Sequence, residues 1–182
     1  MNKCVHNMLM TPWPKVGPQQ PNPALVRALF GAYAGPRGEL TAVAEYFYNS
    51  LLTGGSGISN LSELFACVSR TEMVHLEKLG QLILQFGGDP RLLSYANGRP
   101  MWWSSGAVTY QGDVPSMLRR AIQGERQACD EYRRLADRMD GAPRALIERI
   151  RQDEEHHIEL FQRALRGLEG NKTAQNGYAG KG

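Results

Sequence analysis

Cysteine is scarce in this chain. The 182 residues include three cysteines, Cys4, Cys67 and Cys129, and no two of them form a Cys-x-x-Cys pair. Zinc ribbons and rubredoxin-type iron sites need such pairs, so the sequence excludes both kinds of site within this chain. The odd number of cysteines also argues against a disulfide framework, and we therefore expect a reducing compartment.

Long apolar runs and a strong charge of one sign are missing as well. No segment approaches the ~20 apolar residues that a membrane span requires, and residues 1–15 lack an uninterrupted apolar core of signal-peptide length. The net charge of +3 is too small to indicate nucleic-acid binding. These features predict a cytoplasmic, single-domain protein that binds neither nucleic acid nor a membrane.

Helix caps, breakers and apolar periodicity predict an all-α fold. An extended N-terminal arm is expected over residues 1–22, a helical bundle over 23–168 and a disordered tail over 169–182. A short helix should start at Asn22-Pro23, and four long helices should cover about 36–52, 59–86, 114–139 and 143–168. Two short turns with one long crossover, residues 87–113, indicate a four-helix bundle in which the crossover joins the second and third long helices.

The same order of Glu, Tyr and Glu-x-x-His occurs twice in this chain. The first set is Glu39, Tyr46, Glu72 and His75, and the second is Glu125, Tyr132, Glu154 and His157. A Glu and a His three residues apart share one face of a helix. The two glutamates of each set are also equidistant from the turn between their helices, so each helical hairpin brings its pair to one level of the bundle.

These residues interrupt the apolar stripes of their helices. Ionised carboxylates on a buried face are costly unless they are paired or bind metal. A Glu from each of two helices and a Glu-x-x-His from each of the other two is the ligand set of di-iron and di-manganese proteins. We therefore predict two metal ions per chain, iron or manganese, with the ligands Glu39, Glu72, His75, Glu125, Glu154 and His157. The alternative register, Asp153 with His156, falls off the apolar stripe and is disfavoured.

Several other residues have more than one reading. Tyr46 and Tyr132 lie two helical turns beyond a ligand glutamate, where they could hydrogen-bond a carboxylate ligand, take a redox role, or simply be core aromatics. Trp102 and Trp103 are expected to pack the crossover on the bundle rather than to form a binding site. Met73 faces away from the ligands.

The ligand set resembles the ferritin-like di-metal carboxylate superfamily, which includes rubrerythrins, bacterioferritins and manganese catalases. The segments that carry the resemblance are Gly38–Ala42, Thr71–Glu77 and Asp153–His157. The run from Asn22 to Glu39 is similar to the manganese-catalase-like proteins of bacterial spore coats. In all, the resemblance covers roughly residues 20–168.

This resemblance implies roles for the predicted ligands. Glu72 and Glu154 would bridge the metals, and Glu39 and Glu125 would be terminal ligands. The symmetric set favours iron, since manganese catalases have a less symmetric one. Two departures from the family pattern are the absence of a rubredoxin-type cysteine set and Ala128, where peroxide-reducing rubrerythrins carry an additional glutamate.

The expected function is that of an oxidoreductase acting on hydrogen peroxide or dioxygen. It would either disproportionate peroxide or take electrons from an external donor. The alternatives are a ferroxidase or iron-binding protein, and a structural coat protein whose metals only stabilise the bundle. A homodimer or larger homo-oligomer is expected, in the cytoplasm or, alternatively, in a spore coat.

Overall fold

The computed structural model describes residue 4, residues 7–110 and residues 112–178, and for residues 171–178 it describes the backbone alone. In chain order the elements are α1 (Pro23–Ala34), α2 (Glu39–Gly55), α3 (Ser59–Gln85), β1 (Leu93–Ala96), β2 (Arg99–Trp102), a 3-10 turn (Ser105–Ala107), α4 (Val114–Ala136) and α5 (Gly141–Tyr178).

The long helices form two hairpins that pack into one bundle. Helix α2 packs along α3, and α4 packs along α5. Short turns join the helices within each hairpin, and the long connection runs from α3 to α4. This arrangement confirms the predicted all-α four-helix bundle with its crossover between the second and third long helices. Every helix in the described part of the chain is too short or too polar to cross a membrane.

Two predicted helix starts are confirmed by their capping hydrogen bonds. The side chain of Asn22 accepts a hydrogen bond from the Leu25 amide at 3.0 Å, and that of Asp113 accepts one from the Ser116 amide at 2.9 Å. Each cap satisfies an amide of the first helical turn that has no partner within the helix. The caps therefore fix where α1 and α4 begin.

Other boundaries differ from the predictions. Helix α2 begins at Glu39 rather than near residue 36, and Gly38 with its extended backbone is the N-cap. Gly38 lies so close to α1 that a Cβ atom there would be 2.4 Å from the Ala32 carbonyl oxygen. Helix α5 continues to Tyr178 instead of ending at Leu168, and Glu169 forms an ion pair with Arg119 of α4. Residues 179–182 of the predicted tail lie outside the described residues.

The crossover contains a small antiparallel sheet that was not predicted. Strands β1 and β2 pair with Ala96 opposite Arg99. The residues between them, Asn97 and Gly98, have φ angles of 51° and 75°. An Asn-Gly pair is the preferred sequence for a two-residue hairpin turn. The local signal was therefore present in the sequence, within a segment that we interpreted only as a connection.

Apolar side chains fill the bundle in two layers, one on each side of the level at which the predicted ligands lie. The first layer includes Leu29, Leu79, Ile83, Leu135 and Ile147. The second includes Phe65, Val68, Leu118, Ala121 and Phe161. The buried glutamates and histidines are therefore separated from bulk water by apolar side chains above and below.

The described part of the N-terminal arm, Cys4 and residues 7–22, lies against α3 and α5. Its backbone is hydrogen-bonded to the end of α3, where the Gln19 amide donates to the Gln85 carbonyl at 3.0 Å. His6 of the arm lies outside the described residues.

The odd number of cysteines argued against a disulfide framework, but two of the three cysteines are paired. Cys4 and Cys67 form a disulfide across a sequence separation of 63 residues, whereas Cys129 is free and buried. The arm returns along α3 and brings Cys4 to that helix, a contact that spacing in the sequence does not reveal. The compartment remains a prediction.

Candidate metal centre

All six predicted ligands meet in the middle of the bundle. Helix α2 supplies one carboxylate, α4 supplies another, and α3 and α5 each supply a carboxylate and an imidazole. None of the six side chains is more than 4% exposed: Glu39, Glu72, His75, Glu125, Glu154 and His157. The helical hairpins have therefore brought together residues that are up to 118 positions apart in the sequence.

The imidazole of His75 faces three of the carboxylates. Its Nδ1 lies 2.9 Å from Glu72 Oε2 and 3.0 Å from Glu154 Oε1. The same atom is 3.9 Å from Glu39 Oε2. These residues form a group of four whose ligand atoms all lie within 4.8 Å of one another.

His157 repeats this geometry. Its Nδ1 lies 3.0 Å from Glu72 Oε1 and 3.1 Å from Glu154 Oε2, and 3.9 Å from Glu125 Oε1. A second group of four therefore shares Glu72 and Glu154 with the first. The centre has an approximate twofold arrangement in which two shared carboxylates lie between two imidazoles, and each imidazole has one further carboxylate of its own.

The outer nitrogen of each imidazole is held by a hydrogen-bond acceptor. His157 Nε2 lies 2.9 Å from the Asn7 carbonyl oxygen, which can only accept, so this nitrogen carries the proton. His75 Nε2 lies 3.2 Å from Asp153 Oδ2. Because Nε2 keeps its proton on this outer acceptor, a bound ion would displace a proton only from Nδ1, and the resulting tautomer is the one that a metal ligand needs.

Asp153 is a site residue that the sequence interpretation missed. It was expected off the buried face, yet its side chain is fully buried. Its carboxylate accepts a hydrogen bond from the Leu9 amide at 2.8 Å and forms an ion pair with Arg149 at 2.6 Å. The arm covers this side of α5, so the buried face is wider than the stripe that faces the bundle. His156, by contrast, is half-buried and belongs to neither ligand group.

Both tyrosines donate hydrogen bonds across the bundle to a carboxylate. Tyr46 of α2 donates to Glu125 of α4, and Tyr132 of α4 donates to Glu39 of α2. Each tyrosine thus holds the glutamate on the facing helix. This geometry matches the hydrogen-bonding role among the readings that the sequence left open.

The tryptophans of the crossover behave differently from each other. Trp103 packs as expected, and its indole N–H donates to Thr41 Oγ1 at 2.9 Å. Trp102 is 65% exposed, so the expectation that it packs on the bundle was wrong. It lies on the two-stranded sheet, which carries it away from the helices. Met73 is half exposed on the outer face of α3, away from the ligands.

Burial and mutual repulsion perturb the ionisation of the carboxylates that lie nearer the two tyrosines. Burial raises the pKa of Glu39 well above its ordinary value, and the charges of Glu154 and Glu72 raise it further. The pKa of Glu125 is raised by burial and by the same two charges. Without a metal, both side chains therefore favour the protonated form.

The pKa values of Glu72 and of the two imidazoles shift in the opposite sense to what burial alone would produce. Burial would raise the pKa of Glu72, but the charges and hydrogen bonds of His157 and His75 lower it. Burial would lower the pKa of each histidine, but Glu154 raises that of His75 and Glu72 raises that of His157. In the metal-free protein, protons on the imidazoles therefore offset the carboxylate charge that bound metal ions would otherwise neutralise.

The donor set fits two divalent or trivalent metal ions. Glu72 Oε1 and Glu154 Oε1 are buried, and each is approached by an imidazole Nδ1 at 3.0 Å. Each Nδ1 also faces a second carboxylate oxygen, so one proton cannot satisfy both, and a bound cation would remove that cost. Mixed carboxylate and imidazole ligands suit iron and manganese.

A cavity of about 610 Å³ between α2 and α4 leads to this centre. Its inner end is lined by the tyrosines and carboxylates nearest those helices, including Tyr46, Tyr132, Glu39 and Glu125. Charged residues also line the cavity, among them Glu45 and Arg120, which approach to 3.7 Å. The centre is therefore accessible from the α2 and α4 side, while the N-terminal arm covers the opposite side.

Comparisons with known proteins agree with this fold. The ferritin-like domain family matches residues 37–170. KatB, a manganese catalase from Anabaena, is similar in structure with a TM-score of 0.76 and 23% identity, over 88% of this chain and 79% of that chain. Bacterioferritin from Rhodobacter capsulatus gives a TM-score of 0.70 and 21% identity, over 83% of this chain and 89% of that chain. No curated protein matches.

We expect the metal-free protein to lose stability as the pH rises from about 6 to 9. The raised pKa values of His75, His157, Glu39 and Glu125 mean that the folded state binds protons more tightly than the unfolded chain. The stabilisation from such groups is present below their unfolded pKa and is lost as the pH passes the folded pKa. Glu72 does not contribute here, because its lowered pKa leaves it ionised in both states over this range.

Thermal unfolding followed by circular dichroism checks this expectation. The Tm of the metal-free protein should fall across the range, and metal loading should flatten the profile because the cations replace the protons. A metal-free Tm that stays constant or rises between about pH 6 and 9 would contradict the assigned ionisation.

Proposed function

The chain belongs to the ferritin-like domain family, and from this premise we propose that it is a di-metal oxidoreductase that acts on hydrogen peroxide or dioxygen. The observation that carries the proposal is the position of Glu72 and Glu154, each within 3.1 Å of both imidazole Nδ1 atoms. Glu72 and Glu154 would therefore help to hold both ions, because each belongs to both groups of four.

The six side chains divide into two equivalent sets around the shared pair. His75 and Glu39 would hold one ion, and His157 and Glu125 would hold the other. Two bound iron or manganese ions supply a pair of one-electron centres, which together suit a two-electron reaction at an O–O bond. The carboxylates offset the charge of the ions, which keeps the buried site close to neutral.

The residues around the ligands prepare the site for a small substrate. The hydroxyls of Tyr46 and Tyr132 hold the two carboxylates that border the cavity. A hydrogen bond from tyrosine to a ligand carboxylate fixes its orientation and limits its movement. The cavity admits a small molecule to this edge of the site, while the apolar layers exclude water from the rest.

Peroxide disproportionation is the form of this activity that we favour. It needs no external electron donor, since one peroxide is oxidised and a second is reduced. The structural similarity to a manganese catalase over most of both chains supports this choice. Reduction of peroxide or dioxygen by an external donor would use the same six residues.

Ferroxidase activity is the second candidate function. The observation that favours it is the symmetry of the ligand set: each imidazole has the two shared carboxylates within 3.1 Å and one glutamate of its own at 3.9 Å. The structural similarity to bacterioferritin also supports it. Iron would then be the substrate as well as the occupant of the site.

Elemental analysis combined with oxygen measurement tests the proposal and separates these candidates. The protein is purified from cells supplied with both metals, and oxygen release from peroxide is followed on the same sample. We expect two metal ions per chain. Rapid oxygen release would identify a catalase, and iron oxidation without oxygen release would identify a ferroxidase. Metal content well below two per chain after reconstitution would overturn the proposal.

The substitution Glu72→Ala tests the ligand assignment. Removing a shared carboxylate should reduce the metal content from two ions per chain to one or none, because both groups of four include it. Glu77→Ala is the matched control, since Glu77 lies on the same helix but its side chain is 62% exposed. If Glu72→Ala retains two ions per chain, the assignment of the shared ligands is wrong.

A further inference from the structure

The N-terminal arm contacts the outer side of both candidate ligand histidines. The Asn7 carbonyl accepts the Nε2 proton of His157 at 2.9 Å. Two residues further on, the Leu9 amide donates to Asp153 Oδ1 at 2.8 Å, and Asp153 Oδ2 lies 3.2 Å from His75 Nε2. The three-residue segment 7–9 thus supports both imidazoles: it contacts His157 directly and His75 through the Asp153 carboxylate.

A buried arginine fastens the arm at the same place. Arg149 of α5 is 3% exposed. Its guanidinium donates to the carbonyls of Leu9 at 2.5 Å and Thr11 at 3.1 Å, and it lies 4.5 Å from the centre of the Trp13 ring. That ring in turn packs edge-on against His75, with centroids 6.0 Å apart. The arm therefore forms part of the wall of the site.

One covalent bond ties this part of the arm to the bundle. Cys4 is bonded to Cys67 of α3, and the Cys4 carbonyl accepts a hydrogen bond from the Asn7 amide at 3.1 Å. The disulfide thus lies three residues from the carbonyl that holds His157. The other links between residues 7–13 and the bundle described above are noncovalent.

We propose that the arm is a positioning element for the di-metal site and that the Cys4–Cys67 disulfide is its redox-sensitive tether. Reduction of the bond by a dithiol releases the arm, removes the Asn7 carbonyl from His157 and the Leu9 amide from Asp153, and weakens metal retention. This inference rests on the proposed metal site, but the movement of the arm is testable without metal.

The reduction is an ordinary thiol–disulfide exchange. Cys4 is half-buried and Cys67 is 2% exposed, so a thiolate of the dithiol attacks Cys4 Sγ and Cys67 leaves as a thiolate. The second thiol of the reductant then attacks the reductant's own sulfur in the mixed disulfide and releases Cys4. Two electrons pass to the cysteines, which end as thiols, and the dithiol ends as a cyclic disulfide.

A nearby cation favours this sequence of steps. The guanidinium of Arg70 donates to Cys4 Sγ at 3.1 Å. A positive charge at this distance stabilises a thiolate, so it makes Cys4 a better leaving group in the second step. Cys129 has a contrasting environment: burial raises the pKa of its thiol to about 12, and it takes part in no disulfide.

The first test measures release of the arm in the metal-free protein. Backbone amide exchange by mass spectrometry is recorded for residues 7–13, with and without a dithiol, in the wild type, Cys4→Ser and Cys129→Ser. Reduction should accelerate exchange in the wild type and in Cys129→Ser, the matched control. Exchange in Cys4→Ser should be fast under both conditions. Unchanged exchange in fully reduced wild type would overturn the proposed tether.

The second measurement reports on positioning rather than on general stability. The buried imidazole Nε2–H protons of His75 and His157 are followed by NMR in histidine-labelled, metal-free protein, with helix content monitored by circular dichroism. Reduction should remove the slowly exchanging His157 signal while helix content stays constant. Persistence of that signal after reduction would overturn the assigned role of Asn7.

The third measurement connects the arm to the metal. Transfer of metal from the loaded protein to a chelator should be about tenfold faster or more after reduction, as expected when the outer partner of a ligand histidine is lost. Cys4→Ser should show the fast rate with or without dithiol, which controls for metal binding by the dithiol itself. An unchanged rate in reduced wild type would overturn the link to metal retention.

Failure of the proposed function gives a different pattern from failure of this inference. If the protein binds no metal, the exchange and NMR measurements still decide whether the disulfide holds the arm. If it binds two metals but reduction changes neither the arm nor the transfer rate, the function stands and the tether is wrong.

Discussion

Four carboxylates at one level of a buried helical bundle repel one another, and most of the structure around them compensates for that repulsion. Two imidazoles lie among them within 3.1 Å of the shared pair, and two tyrosine hydroxyls donate to the other pair. The pKa of Glu39 is raised and that of Glu72 is lowered, so Glu39 favours the protonated form while Glu72 stays ionised. Apolar layers above and below keep water out, so the charge must be neutralised inside the site.

The bundle gives the centre two different sides. On the α2 and α4 side a cavity reaches the carboxylates that the tyrosines hold. On the α3 and α5 side the N-terminal arm closes the site. The outer imidazole nitrogens meet two acceptors there, the Asn7 carbonyl of the arm and the Asp153 carboxylate of α5. The open side suits entry of a small substrate, and the closed side suits retention of the ions. Chemistry and metal retention can therefore depend on different parts of the chain.

The sequence predicted the helices and the meeting of the six candidate ligands because both follow local rules. Glu-x-x-His spacing fixes a shared helix face, and equal distances from a turn fix a shared level, so the six residues could be identified without tertiary information. Asp153, the disulfide and the path of the arm could not, because each depends on a contact between distant segments. The Asn97-Gly98 hairpin was predictable in principle, since its turn signal is local, and the exposure of Trp102 follows from that hairpin.

Anomalous X-ray diffraction at the iron and manganese edges, on crystals of metal-reconstituted protein, tests the central claim most directly. The account predicts two peaks per chain, about 3.5–4 Å apart, one beside the Nδ1 atom of each of His75 and His157, with the carboxylates of Glu72 and Glu154 between them. A single peak, or ions bound elsewhere while these six residues keep their mutual hydrogen bonds, would contradict it.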